Sequence, residues 1–259
     1  MISYITGASG FIGSHLVKAL NNVICIPHKE IMGTKLQPFD SLYFLSTYGN
    51  MYFHTDDRKI IQANISDLIY LLLEADCDYK SFVYMSTSSV ELPVQTMYSR
   101  TKKAAEEILL SFIDEYDLPI CIIRPFSITG VGEQKEHLIP TLIRACFTGE
   151  AVDFVPEPRH DYIDVQDVVS GILKLSTAKA RGIFELGNSF PVSNAEVLKL
   201  VEETTDRKVN ISLVDSIRSY DSDDWYSRNY KLKNLYNWIP CISLRQSIKA
   251  MVEDYVKRT

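Results

Sequence analysis

Glycine is scarce in this chain, with 11 among 259 residues, where average usage of about 7% would give roughly 18. An excess of positive charge is also missing: 27 Lys and Arg stand against 33 Asp and Glu, for a net charge of −6. A non-specific nucleic-acid binder needs a basic surface, so that class is disfavoured. A local basic pocket for a phosphorylated small molecule remains compatible with the composition. The five cysteines (Cys25, Cys77, Cys121, Cys146 and Cys241) are odd in number and include no CxxC pair. They read as reduced and structural, with no metal site among them. No apolar run reaches the ~18 residues of a membrane span, and the N-terminal MISYITGASG has no basic region ahead of an apolar one. The expectation is a soluble, cytoplasmic protein with no membrane or nucleic-acid partner.

What remains is ordinary for a globular protein, with 46% hydrophobic and 23% charged residues. The length suits one large α/β domain, or a domain with a smaller lobe. Short apolar runs alternate with helical patterns through the first half. Residues 2–5, 23–26, 41–45, 82–85 and 120–123 read as strands, and residues 11–20, 60–74 and 98–116 as helices. Continuous apolar strands between helices argue for a parallel sheet covered on both faces, a doubly wound fold. Only 14 residues separate Ile26 from Ser41, and Pro27, Gly33 and Pro38 are among them. One βα unit after the second strand is therefore expected to be abbreviated. Beyond Pro125 the pattern loosens into helices at 137–147, 165–176, 194–203 and 244–255, with short strands such as Gly182–Leu186. The expected organisation is a nucleotide-binding domain over 1–130 and a small α/β substrate lobe over 131–259, interleaved with the sheet.

Three of the few glycines, Gly7, Gly10 and Gly13, fall in residues 6–13 (TGASGFIG) between the first strand and the first helix. The first permits a tight turn, the second lets backbone approach a pyrophosphate, and the third lets helix and strand pack closely. The helix N-terminus then offers unpaired N–H groups and positive dipole to phosphate. Chance gives a GxxGxxG about 0.02 times in such a chain, so the pattern is specific in this context. The companion carboxylate that would bind a ribose 2′-hydroxyl about 20 residues on is replaced by Pro27-His28-Lys29. The basic pair is either a site for the 2′-phosphate of NADP or a solvated loop.

Tyr98 and Lys102 have YxxxK spacing, which chance alone produces about once per chain of this composition. Position gives the pair its weight, because it opens a long helix shortly after a strand ending in Ser86-Thr87-Ser88-Ser89. Residues i and i+4 share a helix face, so the ammonium of Lys102 can lie near the phenol of Tyr98 and stabilise the phenolate. A hydroxyl from Thr87 or Ser88 would orient a substrate oxygen for proton exchange.

Residues 6–13, the STSSV strand end and YSRTK together resemble the extended short-chain dehydrogenases/reductases of the NAD-dependent epimerase/dehydratase group. Residues 124–132 (RPFSITGVG) are similar to that family's RPxNxYGPG, residues 161–168 (DYIDVQDV) to its RDYIHVxDV, and residues 236–240 (YNWIP) to its LGWxP. Gly182–Leu186, continued to Asn188 and followed by Val192-Ser193, matches its second-lobe strand and helix start. The resemblance implies NAD(P)-dependent hydride transfer at a sugar carbon, usually C4 of a nucleotide sugar, in a homodimer. Carried over by position, Tyr98 is the acid/base, Lys102 tunes it and touches the nicotinamide ribose, and Thr87 binds the reacting oxygen. Gly7, Ser9, Gly10, Phe11, Ile12 and Gly13 would hold the phosphates. Leu45, Ser46 and Thr47 would line the cofactor, and Pro125 and Ile128 would border the nicotinamide.

Several positions depart from the pattern. The family's VYG is Val90-Glu91-Leu92 here, and the loop before Tyr98 is short. Ser127 stands for the usual Asn. His160 replaces a substrate-phosphate Arg, with Arg159 beside it; Arg218 and Arg228 are further diphosphate candidates. Ser88-Ser89 occupies the place of the Asp-Glu pair that dehydration requires, leaving epimerisation or ketone reduction. The absent acid and His28-Lys29 lean towards NADP and hence reduction. A protein that senses the dinucleotide without turnover would be expected to lose Tyr98 or Lys102, and both are present.

Overall fold

The structure is a computed structural model that describes residues 2–51, 53–75, 79–215 and 225–259. Arg218 and Cys77 lie outside the described residues. In chain order the elements are β1 (Ser3–Thr6), α1 (Phe11–Ala19), β2 (Val23–Ile26), β3 (Ser41–Phe44), α2 (Asp57–Ile61) and α3 (Asp67–Glu74). Next come β4 (Ser81–Met85), α4 (Met97–Tyr116), β5 (Ile120–Pro125), β6 (Ser127–Thr129), α5 (Leu138–Thr148) and β7 (Val152–Phe154). The chain continues through β8 (Arg159–Asp164), α6 (Val165–Thr177), β9 (Gly182–Leu186) and β10 (Pro191–Ser193). It ends with α7 (Asn194–Thr205), β11 (Ile211–Leu213), α8 (Tyr230–Tyr236) and α9 (Leu244–Arg258).

Two compact units divide the chain. The first comprises Met1–Pro125, Val169–Glu185 and Lys231–Trp238, and the second Phe126–Val168, Leu186–Tyr230 and Ile239–Thr259. A single cut at residue 130 does not describe this division, because the body of β9 and most of α6 return to the first unit.

In the first unit six strands run in the order β2-β1-β3-β4-β5-β9, with parallel registers from β2 through β5. All residues of β3 and β4 are buried, as strands covered on both faces require. Leu42, Phe44, Phe82, Tyr84, Ile120 and Ile122 form the centre of the apolar core. The abbreviation expected after the second strand is present. A single 3₁₀ turn, His28–Glu30, takes the place of a helix, and no strand lies outside β2 among the described residues. The common doubly wound order 3-2-1-4-5-6 has such a strand. Without it β2 is an edge, and Ile24 and Cys25 are exposed. Cys25, Cys121, Cys146 and Cys241 are all free thiols.

The second unit has a three-stranded β10-β8-β6 sheet and a two-stranded β11-β7 pair. Its own core gathers Leu142 and Ile143 of α5, Val197 and Val201 of α7, and Ile248 and Met251 of α9. Among the described residues no helix is long and apolar enough to cross a membrane, and no group of His, Cys, Asp and Glu side chains could hold a metal ion.

Gly13 shows how closely the site is built. A Cβ there would lie 2.0 Å from the Gly7 carbonyl oxygen and 2.9 Å from Ala8 Cα, backbone atoms that cannot yield cheaply. Gly13→Ala should destabilise the protein by about 2 kcal/mol or more, read as a lowered urea midpoint. An unchanged midpoint would contradict the close packing of α1 on the turn.

Candidate active site

β1 ends at Thr6, and Gly7 turns the chain with φ +70°, its carbonyl accepting from Gly10 N at 3.0 Å. α1 then starts at Phe11 with Gly10 as its N-cap and no side chain capping its first N–H groups. Ser9 and Gly10 are exposed, and Phe11 and Ile12 are half-buried. Open donors at a helix start suit a pyrophosphate. The buried Thr6 hydroxyl accepts from the backbone N–H of Leu45 (3.2 Å) and Ser46 (3.1 Å), which draws the exit of β3 against the turn. A Cβ on Gly7 would come within 2.9 Å of the backbone of Leu45 and Ser46. The turn and the β3 exit therefore make one backbone cradle, and its donor set fits a dinucleotide.

Asn64 extends this cradle and has no counterpart in the motifs read from sequence. It lies in a π-helical stretch, Gln62–Ser66, between α2 and α3. Its Oδ1 accepts from Thr47 Oγ1 (2.9 Å) and Tyr48 N (3.1 Å), while its Nδ2 donates to Tyr48 O (2.9 Å) and Thr101 Oγ1 (3.0 Å). One fully buried amide thus ties the loop after β3 to α4. A π-bulge often marks a functional position; the only signal in the sequence was a polar Asn inside an apolar helical pattern.

α4 begins with a capping box between Thr96 and Ser99, which fixes the first turn that carries Tyr98. The hydroxyls of Thr47 and Thr87 hydrogen-bond the Tyr98 phenol and favour its ionised form, but burial outweighs them and raises it. Lys102 is 1% exposed. Its Nζ donates to Met85 O at 2.8 Å and sits 4.7 Å from the centroid of the Tyr84 ring and 6.0 Å from that of Tyr98. Burial lowers Lys102 to about 7, against the opposing pull of Glu106. Desolvation thus favours the neutral forms of both the amine and the phenol in this ligand-free chain.

Glu106, two turns beyond Tyr98, is buried and accepts from Ser86 Oγ at 2.5 Å. Arg124 donates to it through Nε at 2.9 Å and Nη2 at 2.5 Å, and also pairs with Glu91. This network holds the Ser86–Thr87 corner against α4. A 3₁₀ turn then begins at Ser88, turning Ser88 inward to 3% exposure. Ser89 instead lies beside Thr87, Oγ to Oγ1 at 3.0 Å. Of the two serines, Ser89 rather than Ser88 shares the half-exposed surface with Thr87.

At the end of β2, His28 and Lys29 are exposed. His28 Nδ1 lies 3.1 Å from the carboxylate of Asp67. One member of the basic pair thus already faces a carboxylate.

In the second unit, Ser127 and Ile128 of β6 pair in register with Tyr162 and Ile163 of β8. Arg159 donates to Pro191 O at 2.7 Å and lies 3.7 Å from Glu196. The His160 ring makes edge contacts with Tyr162 and Trp225. Asp161 accepts from the backbone N–H of Asn188, Ser189 and Ser227 and from the Ser227 hydroxyl. That buried carboxylate anchors the segment carrying Arg228, which is exposed. Pro125, in the first unit, is buried at the end of β5.

The sequence profile of the NAD dependent epimerase/dehydratase family matches residues 45–187, more than half of the chain. The protein belongs to this family. UDP-glucuronic acid decarboxylase 2 of Arabidopsis thaliana is 23% identical over 306 residues, which cover 98% of this chain and 68% of that protein. Among solved structures, MoeE5 in complex with UDP-glucuronic acid and NAD superposes with a TM-score of 0.88 at 22% identity, each chain covered completely. UDP-glucuronic acid 4-epimerase from Bacillus cereus, in complex with UDP-glucuronic acid and NAD, gives 0.88 at 20% identity, covering 100% of this chain and 99% of its own. The Rossmann-type fold and the enzyme class follow for this epimerase/dehydratase family member.

The depressed Lys102 has a measurable consequence. Between pH 7 and 10.5 the unfolded chain holds a proton that the folded one releases, so this group makes folding more favourable as pH rises through that window. The ligand-free protein should gain thermal stability from pH 7 to pH 9 relative to Lys102→Met. Parallel Tm profiles for the two proteins would contradict a buried, depressed Lys102.

Proposed function

We propose that this protein is an NAD-dependent enzyme of nucleotide-sugar metabolism that moves a hydride at C4 of the hexose, with epimerisation favoured over net reduction. The carrying observation is the cluster at the start of α4, where Thr47 and Thr87 hold the Tyr98 phenol and Lys102 follows one turn later. With Tyr98 ionised beside the Lys102 side chain, its phenolate Oη takes the proton of the sugar hydroxyl as the carbon loses its hydride, and the resulting phenol returns that proton in the reverse direction. Thr87, beside Ser89, hydrogen-bonds the same oxygen, and Lys102 holds the nicotinamide ribose. The bound nicotinamide supplies the hydride acceptor. Gly7, Ser9, Gly10, Phe11, Ile12 and Gly13 would hold the phosphates, Leu45, Ser46 and Thr47 would line the dinucleotide, and Pro125 and Ile128 would border its nicotinamide. Ser127, Arg159, Arg218 and Arg228 are the candidates for the sugar nucleotide.

The substrate to try first is UDP-glucuronic acid, since a decarboxylase named for it and two structures carrying it are among the relatives. Dehydration is disfavoured because serines stand at 88 and 89. The rival reading, an NADPH-dependent 4-keto-sugar reductase, drew on His28, which faces Asp67. A non-catalytic dinucleotide sensor is disfavoured by the intact Tyr98 and Lys102. A cytoplasmic homodimer completes the proposal, using the surfaces of α2, α3 and α4 where Ile61, Leu73, Met97 and Tyr116 are exposed.

Tyr98→Phe should lower turnover by about 100-fold or more while dinucleotide binding stays within about twofold of wild type. Turnover at the wild-type rate would remove Tyr98 from the mechanism.

A further inference from the structure

A buried carboxylate stands at the sheet end where the sequence of the β2 exit has none. Asp67, the first residue of α3, is 1% exposed. Its Oδ1 accepts from Gln62 Nε2 at 2.6 Å. Its Oδ2 lies 3.1 Å from His28 Nδ1, without an aligned hydrogen bond. Burial holds its carboxyl above the usual carboxylate range, opposed by Gln62 and His28. Sinking a carboxylate this far is costly unless something requires it. The packing of α3 does not, since Leu68, Leu71 and Leu72 supply its apolar contacts.

The position of His28 supplies the reason. The parallel register pairs Ile26 with Thr6, so His28 stands two residues past the strand end, one strand over from the glycine turn. It is also about 20 residues beyond Gly7, where a Rossmann site carries the acid that receives the ribose 2′-hydroxyl. The His28 side chain is 62% exposed and its Nδ1 side faces Asp67.

We propose that Asp67 and His28 together replace the missing strand-end acid as a two-residue relay that selects NAD over NADP. The inference rests on the reading of the glycine turn as a dinucleotide site. The negative charge 3.1 Å from Nδ1 favours the tautomer with its proton on that nitrogen, whose Nε2 is an acceptor. An acceptor at this place takes the hydrogen of the ribose 2′-hydroxyl, as a carboxylate would. A 2′-phosphate offers no such hydrogen, and it meets a lone pair with a buried carboxylate behind it. The relay fits the abbreviated βα unit: with only a 3₁₀ turn after β2, the carboxylate comes from α3, a neighbour in space. The π-helical turn that contains Gln62 shifts the register of α3 just ahead of Asp67.

The test is the dissociation constants of NADH and NADPH, read by cofactor fluorescence, for wild type, Asp67→Asn and His28→Ala. Wild type should bind NADH at least ~10-fold more tightly than NADPH. In Asp67→Asn the amide can donate to Nδ1 and turn Nε2 into a donor, so the preference should fall ~10-fold, chiefly through tighter NADPH binding. His28→Ala, at an exposed position, should keep the wild-type Tm and lose ~10-fold in NADH affinity. A purely structural Asp67 would lower Tm and weaken both dinucleotides alike, which would overturn the relay. So would an NADH-to-NADPH ratio in His28→Ala equal to that of wild type. A wild-type preference for NADPH sinks the relay and leaves the active-site reading standing, whereas binding of neither dinucleotide sinks both.

Discussion

The site depends on how closely three pieces of backbone approach at the end of the sheet: the turn after β1, the first turn of α1 and the exit of β3. Two glycines permit it, since side chains at 7 and 13 would occupy space already filled by main chain. Thr6 fastens the third piece by accepting from two consecutive N–H groups, and Asn64 carries the connection on to α4. The donors left open at the helix start and the phenol on α4 are thus set by one continuous framework. At positions 7 and 13 a chain poor in glycine places it where a β-carbon would not fit.

The second organising feature is the buried charge along one face of α4. Tyr98, Lys102 and Glu106 follow at intervals of one turn, and Glu106 is compensated by Arg124 and Ser86. Lys102 has a carbonyl and an aromatic face as company, and it titrates near neutrality. Such an arrangement is poised to change charge when a ligand with its own charge enters, because in low dielectric each ionisation is strongly coupled to the next. Phenol and ammonium are both held in their neutral-favouring directions in the ligand-free chain.

Much of this was legible in the sequence because it resides in local patterns. Apolar runs marked β3, β4 and β5, the glycine spacing marked the turn, and the crowded interval between Ile26 and Ser41 marked the abbreviated unit. What escaped depends on contacts between distant residues. Asn64 and Asp67 carry no motif of their own; their roles arise because a π turn aims one at Thr47 and the other at His28, 39 residues away in sequence. The inward rotation of Ser88 follows from a 3₁₀ turn that residue types alone do not announce. The lean towards NADP weighed the charges along one loop, and the carboxylate that α3 brings to His28 is not visible in that loop.

The central claim, that this chain keeps a dinucleotide for reversible hydride transfer at a sugar carbon, is tested most directly by identifying the nucleotide released when the purified protein is denatured. NAD in near-stoichiometric amount is the expected result. A protein that releases no nucleotide and takes up only NADPH from solution would contradict it.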